Sequence, residues 1–204
     1  MRKPSLQIVC LLACAIPALA DPASKWNWLR FKPSQSTPEY RAESPLPDGW
    51  PRPGPFGQVA RKKYPAYRAA FTLEQNPNGG FRRLFKHIKN QNVPMTAPVE
   101  MKLDATQKRA NQMAEMAFLY RQKNLGKPGV DQGEIEVRDV PARQALSYAW
   151  QGPRSDAAMA AARKAIDEEL AKQNLTTTGY RLLAYNSPFM PRGRQTHELQ
   201  ALLP

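Results

Sequence analysis

Between Phe81 and Leu103 the apolar residues change their spacing from helical to extended, and this change constrains the fold more than any other stretch. Phe81, Leu84, Phe85 and Ile88 fall at i, i+3, i+4 and i+7, the stripe of an amphipathic helix. Past the polar break at Lys89–Asn92, Met95, Ala97, Val99, Met101 and Leu103 alternate with polar residues or proline, as one face of a half-buried strand does. The spacing predicts a helix over 77–89, capped by Asn76 with Pro77 in its first turn, feeding a strand over 93–103.

The flanking sequence repeats this order. A strand over 64–73 precedes the helix, and a strand over 112–122 follows the alternating run. A turn at Gly126-Lys127-Pro128-Gly129 then separates two halves. In the second half, 134–138 and 142–150 read as strands. Gly152-Pro153-Arg154-Ser155 introduces a helix over 156–173, striped by Met159, Ala162, Ile166 and Leu170, and strands over 179–186 and 196–203 close the chain. The expected fold class is α+β: two pseudo-repeated β-α-β-β units forming a curved antiparallel sheet or barrel with two helices.

The first twenty residues read as an address. Arg2 and Lys3 precede an apolar run from Leu6 to Ile16, and Ala18-Leu19-Ala20 forms a small-x-small cleavage site before Asp21. The expectation is a signal peptide over 1–20 and an exported protein, periplasmic or secreted. A lipoprotein acylated at Cys14 is the less favoured alternative, because cleavage there would leave an apolar core of only about eight residues. Both cysteines, Cys10 and Cys14, lie in this segment, so the processed chain would carry no thiol for disulfides, thiolate catalysis or metal ligation.

Residues 21–57 read as a proline-rich arm, and 58–204 as the domain. Seven of the 20 prolines fall between Pro33 and Pro55, which favours extended or irregular backbone. Trp26, Trp28 and Trp50 suit an arm strapped over the domain with its rings in grooves; an exposed tether or membrane-facing patch is the alternative.

With 30 basic and 17 acidic residues the chain carries a net charge of +13. A solvated basic surface accounts for this, as does an anionic partner, including a membrane surface. The longest basic run is Arg61-Lys62-Lys63 and no nucleic-acid motif is present, so no nucleic-acid partner is expected, and the protein is expected to be a monomer.

On helix 77–89 the 100° step splits the apolar stripe: Leu84 and Ile88 lie to one side, Phe81 and Phe85 to the other, beside Arg82 and Lys89. Aromatic faces next to cations suit a flat amphipathic anion, and heme or another porphyrin has that form. The two phenylalanines are equally accounted for as core. Only two histidines exist, His87 on a flank of this helix and His197 on the last strand, and each fits a structural role better than that of a ligand.

The helix-to-strand run containing Met95-Thr96-Ala97-Pro98-Val99, the stretch Val137–Trp150 followed by Gly152, and Gly179-Tyr180 through Tyr185-Asn186-Ser187-Pro188-Phe189-Met190-Pro191 to His197-Glu198-Leu199 together resemble the SOUL/heme-binding protein family. The likeness spans Tyr64 to Leu202. Asn186 stands where the family has Asp, and Gln195 and Thr196 interrupt its paired arginines. The resemblance implies an effector-binding-domain-like fold. It also implies a tetrapyrrole groove framed by the helix and the 186–190 loop, with Phe81, Phe85, Lys86, Phe189 and Met190 at matching positions; no histidine matches the family's suggested axial ligand. Joined to Arg82 and Lys89, these residues make the candidate cofactor site, for a tetrapyrrole or other flat anionic small molecule, and His87 is a remote candidate for iron.

No G-x-S-x-G, H-E-x-x-H or glycine-rich phosphate loop is present. The enzymatic alternative comes through the related effector-binding fold, some members of which hydrolyse small molecules with a pocket glutamate. Glu198 is the candidate here.

Overall fold

The computed structural model describes residues 38–73, 79–103, 113–131 and 134–204. The proposed signal segment, Trp26, Trp28, Asn76, Pro77 and Asp104 lie outside the described residues. The described elements are β1 (Val59–Tyr64), β2 (Tyr67–Thr72), α1 (Gly80–Asn90), β3 (Val99–Leu103), β4 (Met113–Leu119), β5 (Gly129–Asp131), β6 (Ile135–Val140), β7 (Arg143–Gln151), α2 (Asp156–Lys172), β8 (Gly179–Ala184) and β9 (Thr196–Leu202), with a 3-10 turn at Arg192–Arg194. The fold class is α+β.

The strands form one nine-stranded open sheet, in the order β1-β7-β9-β8-β3-β4-β2-β6-β5, and all its strand pairings are antiparallel. Two units, β2-α1-β3-β4 and β7-α2-β8-β9, meet where β3 pairs with β8. The strand preceding each unit joins the other unit: β1 pairs with β7, and β6 with β2. Yet only Pro65-Ala66 links β1 to β2, and only Pro141-Ala142 links β6 to β7. Two linking residues leave three Cα–Cα steps between the strand ends, at most about 11 Å, so strands far apart in the sheet order must be brought together by strong curvature.

Several expected boundaries shift. The strand expected over 64–73 is two strands, because Pro65 lacks the N–H that would continue a ladder. The strand expected from 93 starts at Val99. Pro94 and Pro98 cannot donate, and the Ala97 N–H goes instead to the arm, at Pro45 O, 2.9 Å away. The short β5 edge strand emerges from the expected turn at 126–129. Helix α1 begins after Gly79, whose φ of 87° is the left-handed region that glycine enters without a Cβ penalty. Helix α2 begins as expected, with Ser155 Oγ accepting from the Ala158 N–H at 3.2 Å.

Alternation along the strands sends side chains to two faces. One face packs against the helices. Leu84 and Ile88 of α1 meet Ala70, Phe118 and Val137, and Met159, Ala162, Ile166 and Leu170 of α2 meet Leu146, Leu182 and Leu199. The other face is filled by Tyr64, Tyr67, Phe71, Leu183 and Tyr185, together with Tyr40 and Trp50 from the chain before β1. Trp50 lies buried between Tyr64 and Tyr67, with ring centroids 4.7 and 5.2 Å away.

Candidate functional site

A cavity of about 440 Å³ opens on the helix-bearing side, across the junction of β3 and β8. Val99 and Ala184 form its floor, continued by Met95, Thr96 and Ala97 from the segment that the prolines keep out of the sheet. Phe81 and Phe85 of α1 form one wall. Their side chains sit one helical turn apart, so the rings lie nearly parallel, with centroids 6.3 Å apart and planes 11° apart. Phe81 is also held edge-on by Phe118 at 4.9 Å. Both rings remain largely open, at 44% and 40% of their full exposure, because the sheet is already filled by Leu84 and Ile88. The facing wall is the loop after β8, Asn186 to Phe189, backed by Glu43 and Ser44 of the arm.

The expected site residues divide on the structure. Phe81, Phe85 and Phe189 all line the groove, and Phe189 is 95% exposed at its rim. Lys89 stands beside it, its ammonium 5.5 Å from the Phe85 ring centroid. Arg82 is exposed and, at 100° per residue, lies on the same flank as Lys89. Lys86 is exposed about 40° further round α1 from Arg82, away from the groove, where it lines a shallow depression with Arg83, Asp131 and Glu134. Met190 is half-buried, and its carbonyl accepts from Gln195 Nε2 at 3.1 Å; it does not line the groove.

His87 is buried and committed. Its Nδ1 lies 2.5 Å from Asp131 Oδ2 and its Nε2 2.8 Å from the Tyr120 hydroxyl, so neither ring nitrogen faces the groove. Burial pushes the Tyr120 hydroxyl up to about 12. His197 packs flat on Trp150, centroids 5.4 Å apart, where burial and then Arg154 lower its pKa to about 4. Among the described residues no group of three or more His, Cys, Asp and Glu side chains is placed to hold a metal ion.

Glu198 projects to the other face of the sheet. It accepts from Lys62 Nζ at 2.5 Å, from Tyr185 OH at 2.7 Å and from Ser147 Oγ, and is fully buried. Beside it Arg181 donates to Glu100 at 3.0 Å, to Tyr67 OH at 3.0 Å and to Gln200 Oε1 at 2.8 Å. Burial alone would lower the Arg181 pKa, but Glu100 and Tyr67 raise it above the usual arginine value. Glu198 lines none of the described cavities, and its oxygens already accept from three donors, so the arrangement presents no free base to a substrate.

Sequence reasoning missed Glu43 and the Met95–Ala97 floor as parts of the groove, and Tyr185, although inside a stretch that carries the family resemblance, was not among the expected site residues. The Pro94 and Pro98 pair was the available signal that this segment leaves the ladder; for Glu43 nothing local distinguishes it from any other arm carboxylate.

A family model described as SOUL heme-binding protein matches residues 58–200. No curated protein matches the chain. Among solved structures, the EcmrR C-terminal domain aligns with a TM-score of 0.54 at 15% identity, covering 72% of this chain and 97% of that one. A hydrolase from Listeria innocua aligns with a TM-score of 0.53 at 11% identity, covering 74% and 94%. An uncharacterized conserved protein from the same organism gives 0.55 at 13%, covering 74% and 93%. At these identities the likeness is one of fold.

Proposed function

Because the chain belongs to the SOUL heme-binding protein family, we propose that it binds heme or another tetrapyrrole without turnover, in the groove between α1 and the 186–189 loop. The observation that carries this reading is the pair of parallel, half-open rings of Phe81 and Phe85 on one wall of an apolar cavity of about 440 Å³. That volume lies in the range of small-molecule pockets, roughly 300–1,000 Å³, and leaves a porphyrin partly exposed. The residues fit the macrocycle: flat apolar contact from the rings and a cationic flank at Lys89 and Arg82 for propionates. Binding by ring contact and carboxylate pairing asks for no protein ligand to iron, consistent with both histidines being engaged elsewhere.

The basic start, apolar run and small-residue site of residues 1–20 support an exported, periplasmic or secreted carrier. Transport, storage and scavenging of a tetrapyrrole all fit such a groove. The deciding experiment is titration of the purified protein with hemin, followed by visible absorption. Phe85→Ala should weaken binding by roughly 1–3 kcal/mol if the ring is a half-buried contact. Unchanged hemin affinity in Phe85→Ala and Lys89→Glu would remove the groove from consideration.

A further inference from the structure

The groove is electrostatically lopsided. Its helix side carries Lys89 and Arg82, whereas Glu43 is the one acidic or basic residue among the described residues that line it. Glu43 arrives from the arm and is locked to the opposite wall. The Ser187 N–H donates to its Oε2 at 2.8 Å, Ser187 Oγ to its Oε1 at 3.0 Å and Asn186 Nδ2 to its Oε2 at 3.2 Å. The arm backbone is tied on either side of it: Asn186 Nδ2 donates to Arg41 O at 2.8 Å, and the Ala97 N–H to Pro45 O at 2.9 Å. Foremost among the causes, the hydrogen bond from the Ser187 N–H holds the Glu43 carboxyl below the usual carboxylate range. The wall facing the helix thus carries a fixed negative charge that cannot swing aside without giving up these bonds.

We propose that Glu43 selects the class of tetrapyrrole the groove accepts: macrocycles whose carboxylates are confined to one edge, held with that edge at Lys89 and Arg82 and the carboxylate-free edge against the arm. This rests on the tetrapyrrole reading of the groove and narrows it. A macrocycle bearing carboxylates all round must bring one toward Glu43, where two like charges meet beside apolar walls that offer neither a counter-ion; Glu43 is exposed, so the repulsion is strongest at low salt. Such a repulsive element discriminates between ligands without adding affinity for the right one.

Three porphyrins test it: protoporphyrin, with two carboxylates on one edge; coproporphyrin, with four distributed round the ring; and protoporphyrin dimethyl ester, with none. The full chain and its Glu43→Gln variant are titrated with each by fluorescence quenching. Glutamine keeps an acceptor for Ser187, and Glu43→Ala serves as a second variant, with thermal unfolding recorded for both. The wild type is expected to bind protoporphyrin at least tenfold tighter than coproporphyrin. Both variants should close most of that gap by gaining coproporphyrin affinity, while protoporphyrin and ester affinities stay within about threefold. Equal wild-type affinities for the two acids, or a gap that survives both variants, would overturn the selection by Glu43 and leave the groove assignment standing. Failure of all three porphyrins to bind would overturn the groove assignment, and the selectivity with it.

Discussion

The Lys62 ammonium donates to Glu198 Oε1 at 2.5 Å across 136 residues of sequence, with 9% of the lysine side chain and none of the glutamate reaching solvent. The pair joins β1 to β9 on either side of β7, where Ser147 completes the contact. Removing one member of a buried ion pair strands the other charge. Lys62→Met should therefore destabilise the protein by roughly 3–5 kcal/mol, read from urea unfolding. Lys62→Met combined with Glu198→Leu should recover much of that loss, because no uncompensated charge remains. If the single variant costs less than about 1 kcal/mol, the pair is not closed in solution.

Lys86 and Lys89 are three residues apart on α1 but face different surroundings, so their reversals should behave differently. Lys89→Glu should weaken hemin binding and spare a porphyrin with esterified carboxylates, because Lys89 stands beside the Phe85 ring. Lys86→Glu should leave hemin affinity within about twofold, because Lys86 does not line the groove and shares a separate depression with Asp131 and Glu134. Equal losses from both would mean that bulk positive charge, rather than the groove edge, attracts the ligand.

His87 should prove structural. His87→Ala is expected to leave the visible spectrum of bound hemin unchanged, and to lower stability by about 1–3 kcal/mol through the unpaired Tyr120 and Asp131. Metal-free protoporphyrin should likewise bind about as well as hemin. A shifted Soret band in His87→Ala would require the His87 pairing to open when ligand binds.

Acid should destabilise the fold partly through His197. Its folded pKa is lowered from 6.5 to about 4, so in that window the unfolded chain binds the additional proton. The stability tied to the neutral ring is complete above about 6.5 and lost as pH falls toward 4, amounting to about 3 kcal/mol. Replacing His197 by Asn should flatten this part of the stability–pH curve relative to wild type. An unchanged slope between pH 7 and 4 would show that the ring protonates in the folded state.

The export proposal has a direct readout. Mass spectrometry of protein recovered from the producing cell's exterior or periplasm should give a chain starting at Asp21. A lipid-modified chain starting at Cys14 would instead establish a membrane-anchored lipoprotein.

Much of this protein is written locally. The stripes of Phe81, Leu84, Phe85 and Ile88 and of Met159, Ala162, Ile166 and Leu170 specify two helices, because burial on one side of a helix imposes its period on adjacent residues. The alternation in 99–103 and 196–202 likewise specifies strands and their faces. The split of α1 into two apolar subfaces was legible for the same reason, although spacing alone left Phe81 and Phe85 equally accounted for as core, and the loop opposite them came from the family resemblance.

What the tertiary structure alone decided are relationships between residues far apart in the chain. The exchange of β1 and β6 between the two units depends on which edge each strand pairs with, and period-2 patterning is the same for every edge. Glu198 looked like a free strand carboxylate until β1 brought Lys62 against it. Lys86 joined the candidate site through the family resemblance alone, whereas helical phase had already put Lys89 beside Phe85, and the structure keeps Lys89 at the groove and Lys86 in a separate depression. Glu43 became a groove wall only when the arm crossed to Ser187. Local spacing sorts the side chains of an element onto its faces; the partners of a charge are fixed only when strands distant in sequence are brought side by side.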